Sequence, residues 1–499
     1  MEAGEVLTIV LIATLAGGEA SARPPNLVVI LADDLGFSDL GCYGGETRTP
    51  HLDALAAGGL RYSQFYNCAR CWPTRAALLS GYYPQHVGRD GLPGMPGGAS
   101  GKRPAWAKLL PERLRAAGYR SYHSGKWHVD GSPRGGGFDR SYLMQDGGRY
   151  FSPRNHSEDD RKLPSPAPEE KYYSTTAIAD HAVSYLARHA AEHREQPFFL
   201  YLAFLAPHFP LQALPEDIAR YRDAFGAGWD VLRRQRHERQ TAAGIVVGKL
   251  SALEPEIGPP YRRPDDWARF GPGEAPFPRP WSELTDAQRD FQATKMAIHA
   301  AMIDRMDQEI GRVLAQLRRM NAWDDTLILF LSDNGASAEI MIRDEGHDPA
   351  APPGSAATHL CLGPGWSSAA NTPFRRHKTW VYEGGIATPL IAHWPKGISE
   401  RGKLRHAVGH VVDIAPTLLN LAGEKSSLEN APTAPGVSLA PTFVAEAPLA
   451  RDSLWWAHEG NRAIRVGDWK LVAVAKGPWE LYDLARDRTE TENLAAKEP

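Results

Sequence analysis

The chain contains little cysteine, which limits the kinds of site and scaffold it can form. Its 499 residues include only four cysteines: Cys42, Cys68, Cys71 and Cys361. That number excludes a disulfide-rich scaffold. The spacing Cys-x-x-Cys occurs once, at Cys68 and Cys71, and because it does not recur it is weak evidence for zinc. If Cys71 has a chemical role of its own, the other three cysteines can form at most one disulfide.

The chain also lacks an excess of either charge. Lysine and arginine number 56 against 59 acidic side chains, a formal net charge of −3. Such a balance gives no electrostatic reason to expect nucleic acid or an anionic membrane surface as a partner. An anionic substrate would therefore have to be bound by groups gathered locally.

The length predicts two or three domains, or one large α/β domain with an appendage.

The chain also lacks a hydrophobic run of membrane-spanning length. The apolar run near the N-terminus is too short to span a bilayer comfortably. This run, residues 6–16, is followed by the small residues Ala20, Ser21 and Ala22. The pattern predicts a signal peptide over residues 1–22, although Glu2 and Glu5 stand where basic residues are usual. We therefore expect a periplasmic or secreted bacterial protein with no stable membrane insertion after cleavage. The alternatives are an uncleaved anchor or a misassigned start.

What the chain does contain is an alternation of buried strands and helices. Residues 26–32 form a continuous apolar run, which is typical of a strand covered on both faces. Further strands are predicted at 119–125, 197–205, 326–331 and 388–394, with helices between them. This order predicts an α/β fold with a large mixed, mainly parallel sheet between layers of helices. Residues 129–172 are predicted to be a long loop region and 214–285 an insertion over the sheet edge.

The composition changes near residue 424. Residues 424–450 are rich in alanine, proline and serine and are predicted to be a linker. Short strands around tight turns follow at 462–466, 469–474 and 479–483. We therefore predict a catalytic domain over 23–423, and a linker with a small C-terminal α+β subdomain containing an antiparallel sheet over 424–499.

Polar side chains recur where the predicted strands end. They are Asp33 and Asp34, Lys126 and His128, His208, and Asp333 and Asn334. In open α/β sheets, ligands bind at the carboxyl ends of the strands, so these groups should meet at one site. Their carboxylate and amide oxygens form the ligand set that Ca²⁺ or Mg²⁺ takes. Around such a metal, cationic side chains would attract the anion of a sulfate or phosphate ester; these are Arg75, Lys126, His128, His208 and Lys378.

Cys71 begins a segment, Cys71-Trp72-Pro73-Thr74-Arg75, that is predicted to open a helix ending before Gly81. A helix N-terminus favours an anion, and Arg75 adds a positive charge one turn along. Cys71 is then either a small core or disulfide residue, or a nucleophile placed beside an oxyanion. The segment alone leaves both interpretations open.

Together these residues resemble the type I sulfatase family of the alkaline phosphatase superfamily. Cys71 to Arg75, with Gly81, matches the family's C-x-P-S/T-R signature. Other matching blocks lie at residues 26–34, 124–128, 206–210, 332–335, 378, 383–390 and 413–419. The resemblance extends over about residues 25–495 and is nearest to bacterial arylsulfatases. It implies an alkaline-phosphatase-like fold.

The resemblance also implies a chemistry for the residues already singled out. Cys71 would be oxidised to Cα-formylglycine (3-oxoalanine) by a formylglycine-generating or anaerobic sulfatase-maturing enzyme. Ca²⁺, in preference to Mg²⁺, would be held by residue 71 and by Asp33, Asp34, Asp333 and Asn334.

The remaining roles follow from the same resemblance. Asp333 would act as base, and Lys126, His208 and Lys378 would bind the sulfate. His128 would take the proton that releases sulfate, and Arg75 would hold the aldehyde hydrate. The implied reaction is hydrolysis of an aryl or carbohydrate sulfate, on a small molecule or a glycan, to the alcohol or phenol and inorganic sulfate.

Two other functions fit part of the same evidence. A phosphonate or phosphate ester hydrolase of the same superfamily shares the cysteine signature and the metal site. A catalytically dead protein that binds sulfated glycans would keep the fold but lose active-site residues, and all the expected residues are present. Comparing sulfate with phosphate esters of one phenol separates the first alternative from a sulfatase.

Overall fold

The computed structural model describes residues 23–91, 101–343, 346–426 and 428–497. The predicted signal peptide over 1–22 lies outside the described residues. Within them, none of the helices is both long enough and apolar enough to cross a bilayer.

The first strand, β1 (Asn26–Ala32), lies in the middle of a large sheet and is buried along its whole length. It pairs in parallel with β7 (Phe198–Ala203) on one side and with β8 (Thr326–Ser332) on the other. Alternate β1 side chains enter two separate cores, with Val28 in one and Val29 in the other. Burial on both faces explains why β1 is a continuous apolar run instead of an alternating one.

The sheet has eleven strands in the described residues, in the order β10-β2-β9-β8-β1-β7-β3-β4-β5-β6, with β11 paired to β2. Around β1 the strands are parallel, whereas β9 runs antiparallel to both β2 and β8. The prediction of a mixed, mainly parallel sheet is confirmed. The remaining strands are β2 (Leu60–Tyr66), β3 (Arg120–Gly125), β4 (Arg140–Met144), β5 (His156–Glu158), β6 (Arg161–Lys162), β9 (Ala387–His393), β10 (Lys403–Arg405) and β11 (Gly409–His410).

Helices cover both faces of this sheet, as predicted. The core that contains Val28 also takes side chains from α4 and α8, and the core that contains Val29 takes side chains from α2, α3 and α11. The helices are α1 (Pro50–Ala57), α2 (Cys71–Ser80), α3 (Leu110–Ala116), α4 (Ser174–Glu192), α5 (Pro215–Ala219), α6 (Gly228–Ala242), α7 (Pro264–Arg269), α8 (Asp286–Arg319), α9 (Gly363–Ala370), α10 (Glu383–Ile386), α11 (Ile414–Leu421) and α12 (Ala440–Val444).

A separate antiparallel sheet forms near the C-terminus, as predicted, although its first strand was not among the predicted ones. Its four strands, in order, are β12 (Leu454–His458), β13 (Asn461–Val466), β14 (Trp469–Ala473) and β15 (Glu480–Asp483). Lys470 on β14 is fully buried, with its Nζ 2.9 Å from Glu383 at the start of α10 and 2.8 Å from Glu490. This ion-pair cluster joins the small sheet to the helical segment that precedes β9.

Several elements were not predicted individually, and three of them show the physical reasons. The region 129–172 contains β4, a buried strand of only five residues. β2 was not predicted because Arg61, Ser63 and Gln64 interrupt its apolar pattern. The insertion over 214–285 contains the 15-residue helix α6, whose buried positions include Arg233, Arg236 and Gln240. Because polar side chains occupy half of its six buried positions, α6 lacks the clear apolar periodicity that identifies an amphipathic helix.

Candidate active site

The predicted strand-end residues meet at one edge of the sheet. The strands β3, β7, β1 and β8 are consecutive neighbours, and each carries its polar residues just beyond its carboxyl end. The edge therefore gathers Lys126 and His128, His208, Asp33 and Asp34, and Asp333 and Asn334, in that spatial order. This is the crevice position expected for a ligand site in an α/β sheet.

The acidic residues form a compact, buried cluster. The Asn334 side-chain amide donates to Asp34 Oδ1 at 2.6 Å and to the Gly335 carbonyl at 3.0 Å. Asp33 and Asp333 are both fully buried. Burial, reinforced by the negative charge of Asp33, raises the pKa of Asp333 to about 7. The protein thus holds like charges close together, an arrangement that a bound cation would relieve.

Two oxygen atoms in this cluster have no hydrogen-bond partner although they are buried: Asp33 Oδ1 and Asn334 Oδ1. An unpartnered buried polar atom is costly, so such atoms usually mark a missing water, ion or ligand. Both are oxygen donors, the type that hard divalent cations prefer. The side chains present therefore fit a Ca²⁺ or Mg²⁺ ion.

Cys71 lies at the centre of the cluster. Helix α2 begins at Cys71 and ends before Gly81, and all of its residues are buried. The Cys71 sulfur and one carboxylate oxygen each of Asp33 and Asp333 lie within 4.8 Å of one another. Burial raises the pKa of the Cys71 thiol, even though Lys126 and Lys378 act in the opposite direction. The environment therefore favours the neutral thiol over a thiolate nucleophile.

None of the four cysteines forms a disulfide. Cys68, three residues before Cys71, is also buried, and burial raises the pKa of its thiol above the ordinary range. The structure thus leaves Cys71 unconstrained by a covalent partner.

Three basic side chains contact the acidic cluster directly. The Arg75 guanidinium binds Asp333 Oδ2 through Nε at 2.8 Å and lies 3.4 Å from Asp33 Oδ2. Lys126 Nζ donates to Asp33 Oδ2. Lys378 Nζ lies 2.8 Å from Asp34 Oδ1. Each cation is thereby fixed in place by a carboxylate, which orients it toward the same centre.

Lys378 has a second anionic partner that sequence reasoning missed. The buried carboxylate of Glu339 lies 3.1 Å from Lys378 Nζ and 3.0 Å from Arg70 Nη2. Burial alone would lower the pKa of Lys378, but Asp34 and Glu339 outweigh burial and raise it. Lys378 is therefore a permanent cation. In the sequence, the only signals for these two residues were that Arg70 directly precedes Cys71 and that Glu339 follows Asn334 by five residues.

The two predicted histidines are neutral. Burial, together with Lys126 and Lys378, holds the pKa values of His128 and His208 well below the ordinary range. His208 Nδ1 donates to the Phe209 carbonyl oxygen, so Nε2 carries no proton and lies 3.7 Å from Asp34 Oδ2. Neutral imidazoles beside an anion site can accept protons, which is what acid–base catalysis requires.

A cavity of about 510 Å³ opens over this centre. It is lined by Cys71, Lys126, His128, His208 and Lys378 from the predicted set. Sequence reasoning missed its other polar lining residues, because they come from loops and from the end of β4: Arg70, Arg89, Gln145, Asn155 and Arg343.

The chain is similar to known sulfatases along nearly its whole length. Residues 25–424 match the family described as sulfatase, and residues 375–499 match the family described as N-sulphoglucosamine sulphohydrolase, C-terminal. The chain is 32% identical to an uncharacterized sulfatase of Schizosaccharomyces pombe, over 96% of this chain and 92% of that protein. It is 32% identical to an arylsulfatase of Klebsiella aerogenes, over 85% of this chain and 94% of that protein.

A solved structure is also similar to this chain over nearly its whole length. The complex of Ps i-CgsB with k-i-k-neocarrahexaose has 25% sequence identity and a TM-score of 0.68, covering 95% of this chain and 89% of that one.

Proposed function

This chain belongs to the sulfatase family and is a sulfuric ester hydrolase, and we propose that it works with a bound Ca²⁺ and a formylglycine made from Cys71. The observation that carries the proposal is the pair of unpartnered buried oxygens, Asp33 Oδ1 and Asn334 Oδ1, in the carboxylate cluster that contains Cys71. A plain thiol site would not need such oxygen donors, whereas a divalent cation does.

Asp33, Asp34, Asp333 and Asn334 would hold the Ca²⁺, with residue 71 completing the set. The ion would polarise the sulfate oxygens and lower the pKa of a nearby hydroxyl. The hydrated aldehyde would provide one hydroxyl to attack sulfur and a second through which sulfate is later released. The raised pKa of the Cys71 thiol supports this identity for the nucleophile, since an unmodified cysteine here would remain largely protonated.

The surrounding side chains would bind the ester and move its protons. Lys126 and Lys378 would bind the non-bridging sulfate oxygens. His208 would bind the sulfate and assist the leaving oxygen in its protonated form, in which Nε2 donates as well as Nδ1. Their positions next to Asp33 and Asp34 support these roles, because the carboxylates fix both ammonium groups at the mouth of the cluster.

Three further residues would act on the nucleophile itself. Asp333, whose pKa is raised to about 7, would act as the base for the attacking hydroxyl. His128 would accept the proton of the second hydroxyl as sulfate departs. Arg75 would hold the nucleophile in position, and its contacts with Asp33 and Asp333 support that placement.

We propose an aryl or carbohydrate sulfate as the substrate, on a small molecule or a glycan. The arylsulfatase of Klebsiella aerogenes supports the aryl class, and the saccharide complex of Ps i-CgsB supports the carbohydrate class. The partner for maturation would be a formylglycine-generating or anaerobic sulfatase-maturing enzyme. Cys71 is 3% exposed, so that enzyme would have to act before the chain folds.

We also propose the chain's organisation: a signal peptide over 1–22, a catalytic unit over 23–423 and a linker with a small subdomain over 424–499. The end of the matched range 25–424 supports a division near residue 424. The protein would then be periplasmic or secreted. N-terminal sequencing of the exported protein tests the cleavage site directly.

Co-expression with a maturation enzyme tests the proposed function. Mass spectrometry of the peptide containing Cys71 should show the aldehyde, and the purified protein should hydrolyse 4-nitrophenyl sulfate in a calcium-dependent manner. The Cys71→Ala variant should fold and lack this activity. If the enzyme is active with Cys71 unmodified, the proposal that formylglycine is the nucleophile is refuted. A much larger kcat/KM for 4-nitrophenyl phosphate than for the sulfate would favour a phosphate ester hydrolase.

A further inference from the structure

The cavity over the active site carries more positive charge than one sulfate ester needs. Five of its lining residues are cationic: Arg70, Arg89, Lys126, Arg343 and Lys378. None of the described residues that line it is a carboxylate. Because a sulfate monoester carries a single negative charge, these cations are not all explained by the group that reacts.

Most of these cations are already held by the protein. Lys126 binds Asp33, Lys378 binds Asp34 and Glu339, and Arg70 binds Glu339. Arg89 Nη1 donates to the Gly101 carbonyl at 3.1 Å, and its Nε lies 3.9 Å from Asp130. Arg343 differs, since no carboxylate among the described residues forms an ion pair with it.

Arg343 packs against Phe209, the residue that follows His208. Its guanidinium lies over the ring of Phe209, 4.6 Å from the ring centre. The imidazole of His208 stacks on that same ring at 4.3 Å, and Lys378 Nζ lies 5.8 Å from its centre. Arg343 and His208 thus pack against the same ring, and the side chain of Arg343 is exposed to solvent. Because the proposed function assigns His208 to the leaving oxygen, this side of the cavity would face the alcohol portion of a substrate.

The contact with Phe209 also leaves the guanidinium available. A guanidinium over an aromatic face is held by cation–π attraction, while its N–H groups point outward in the plane. Those groups match carboxylate or sulfate oxygens in a bidentate arrangement. Gln145 and Asn155 line the same cavity and offer amides for neighbouring hydroxyl or carbonyl groups.

We propose that Arg343 binds a second anionic group on the alcohol portion of the substrate. The preferred substrates would then be sulfate esters that carry another sulfate or a carboxylate. This inference rests on the proposed function, because the side chain acts beside the position assigned to the leaving oxygen. It adds a specificity-determining residue that the strand-end motifs do not contain.

The test compares three phenyl sulfates that differ only at the meta position: a carboxylate, a sulfonate and a neutral carboxamide. For each probe, kcat/KM of the matured wild-type enzyme is divided by that of Arg343→Gln. Taking this ratio cancels the intrinsic reactivity of each ester. We expect the ratio to be about tenfold larger for the anionic probes than for the carboxamide, the loss of one charge-assisted contact.

Arg154→Gln is the matched control, because Arg154 is exposed and does not line the cavity. It removes the same charge from the protein and should give equal ratios for all three probes. Arg343→Lys should restore part of the preference for the anionic probes. The larger of the two anionic ratios identifies whether sulfonate or carboxylate chemistry fits better.

A binding measurement separates failure of this inference from failure of the proposed function. Calorimetric titration of the three probes into Cys71→Ala, with and without Arg343→Gln, measures the same preference without turnover. If the enzyme hydrolyses none of the esters but the binding preference depends on Arg343, the proposed function fails and the second-anion site stands. If hydrolysis occurs and all three ratios agree within twofold, the second-anion site is wrong.

Discussion

Glu339 offers a sharp test of how the active-site cations are held. Its buried carboxylate lies between Lys378 at 3.1 Å and Arg70 at 3.0 Å. At an effective dielectric constant of about 20, each such pair attracts by about 5 kcal/mol before desolvation is subtracted. Removing one partner from a buried pair costs about 3–5 kcal/mol, because the other charge is left uncompensated.

The change Glu339→Gln keeps the shape of the side chain and removes its charge. Lys378 retains Asp34, and Arg70 retains the hydroxyl of Thr379, so we expect a loss near 3 kcal/mol in the free energy of unfolding. Lys378 also loses one of its two anchors, so kcat/KM for a sulfate ester should fall by about tenfold. Urea unfolding and steady-state kinetics measure the two effects.

Glu400→Gln is the matched control for Glu339→Gln. Glu400 binds Arg405 at 2.6 Å, but its side chain is 46% exposed, so solvent screens the pair. The expected loss of unfolding free energy there is below about 1 kcal/mol. Equal losses for the two variants would refute the argument that burial makes Glu339 costly to neutralise.

The pH dependence provides a second check on Glu339. Burial alone would raise the pKa of Glu339, but Arg70 and Lys378 outweigh it and hold the pKa well below the ordinary value of 4.5. A lowered folded-state pKa contributes stability that is complete above the unfolded-state value and is lost as the pH falls. The difference in unfolding free energy between wild type and Glu339→Gln should therefore be constant above pH 4.5 and shrink below it.

Three other measurements test separate parts of the structure. Calcium at about a thousand times its Kd should add about 4 kcal/mol to the unfolding free energy of wild type and much less to that of Asp33→Asn; equal gains would place the cation elsewhere. Iodoacetamide should alkylate Cys71 of the unprocessed protein far more slowly when folded than in urea, since the side chain is 3% exposed; similar rates would contradict its burial. Lys470→Met should lower the unfolding free energy by about 3–5 kcal/mol, because Glu383 and Glu490 would lose a buried partner. A change below about 1 kcal/mol would show that this ion-pair cluster does not stabilise the C-terminal sheet.

The position of the candidate site could be predicted because its residues follow strands that the sequence makes visible. Asp33 and Asp333 each come directly after a buried apolar run, and the two runs, β1 and β8, are neighbours in the sheet. The carboxyl ends of parallel strands meet at one edge, so adjacency of the strands brings the carboxylates together. Residue type and topology were sufficient for this part of the site.

The rest of the cavity could not be predicted in this way. Glu339 and Arg343 lie in the segment after β8 that has no regular secondary structure, and no periodicity indicates where their side chains point. Arg236 on α6 shows the same limit in the fold, because it is fully buried by binding Asp39 and Glu46. A buried face made of ion pairs has the composition of an exposed one, so hydrophobic patterning cannot reveal it.

The charges at the centre of the site bear on the second-anion site independently of Arg343. Among the residues that the structure describes, the buried centre holds as many cationic side chains as carboxylates: Arg70, Arg75, Lys126 and Lys378 against Asp33, Asp34, Asp333 and Glu339. A divalent cation would therefore leave an excess of two positive charges, and a sulfate monoester would neutralise only one of them. Charge excess in a partly enclosed cavity attracts further anions. A substrate with a second anionic group would complete the neutralisation, and Arg343 would determine where on the alcohol that group must lie.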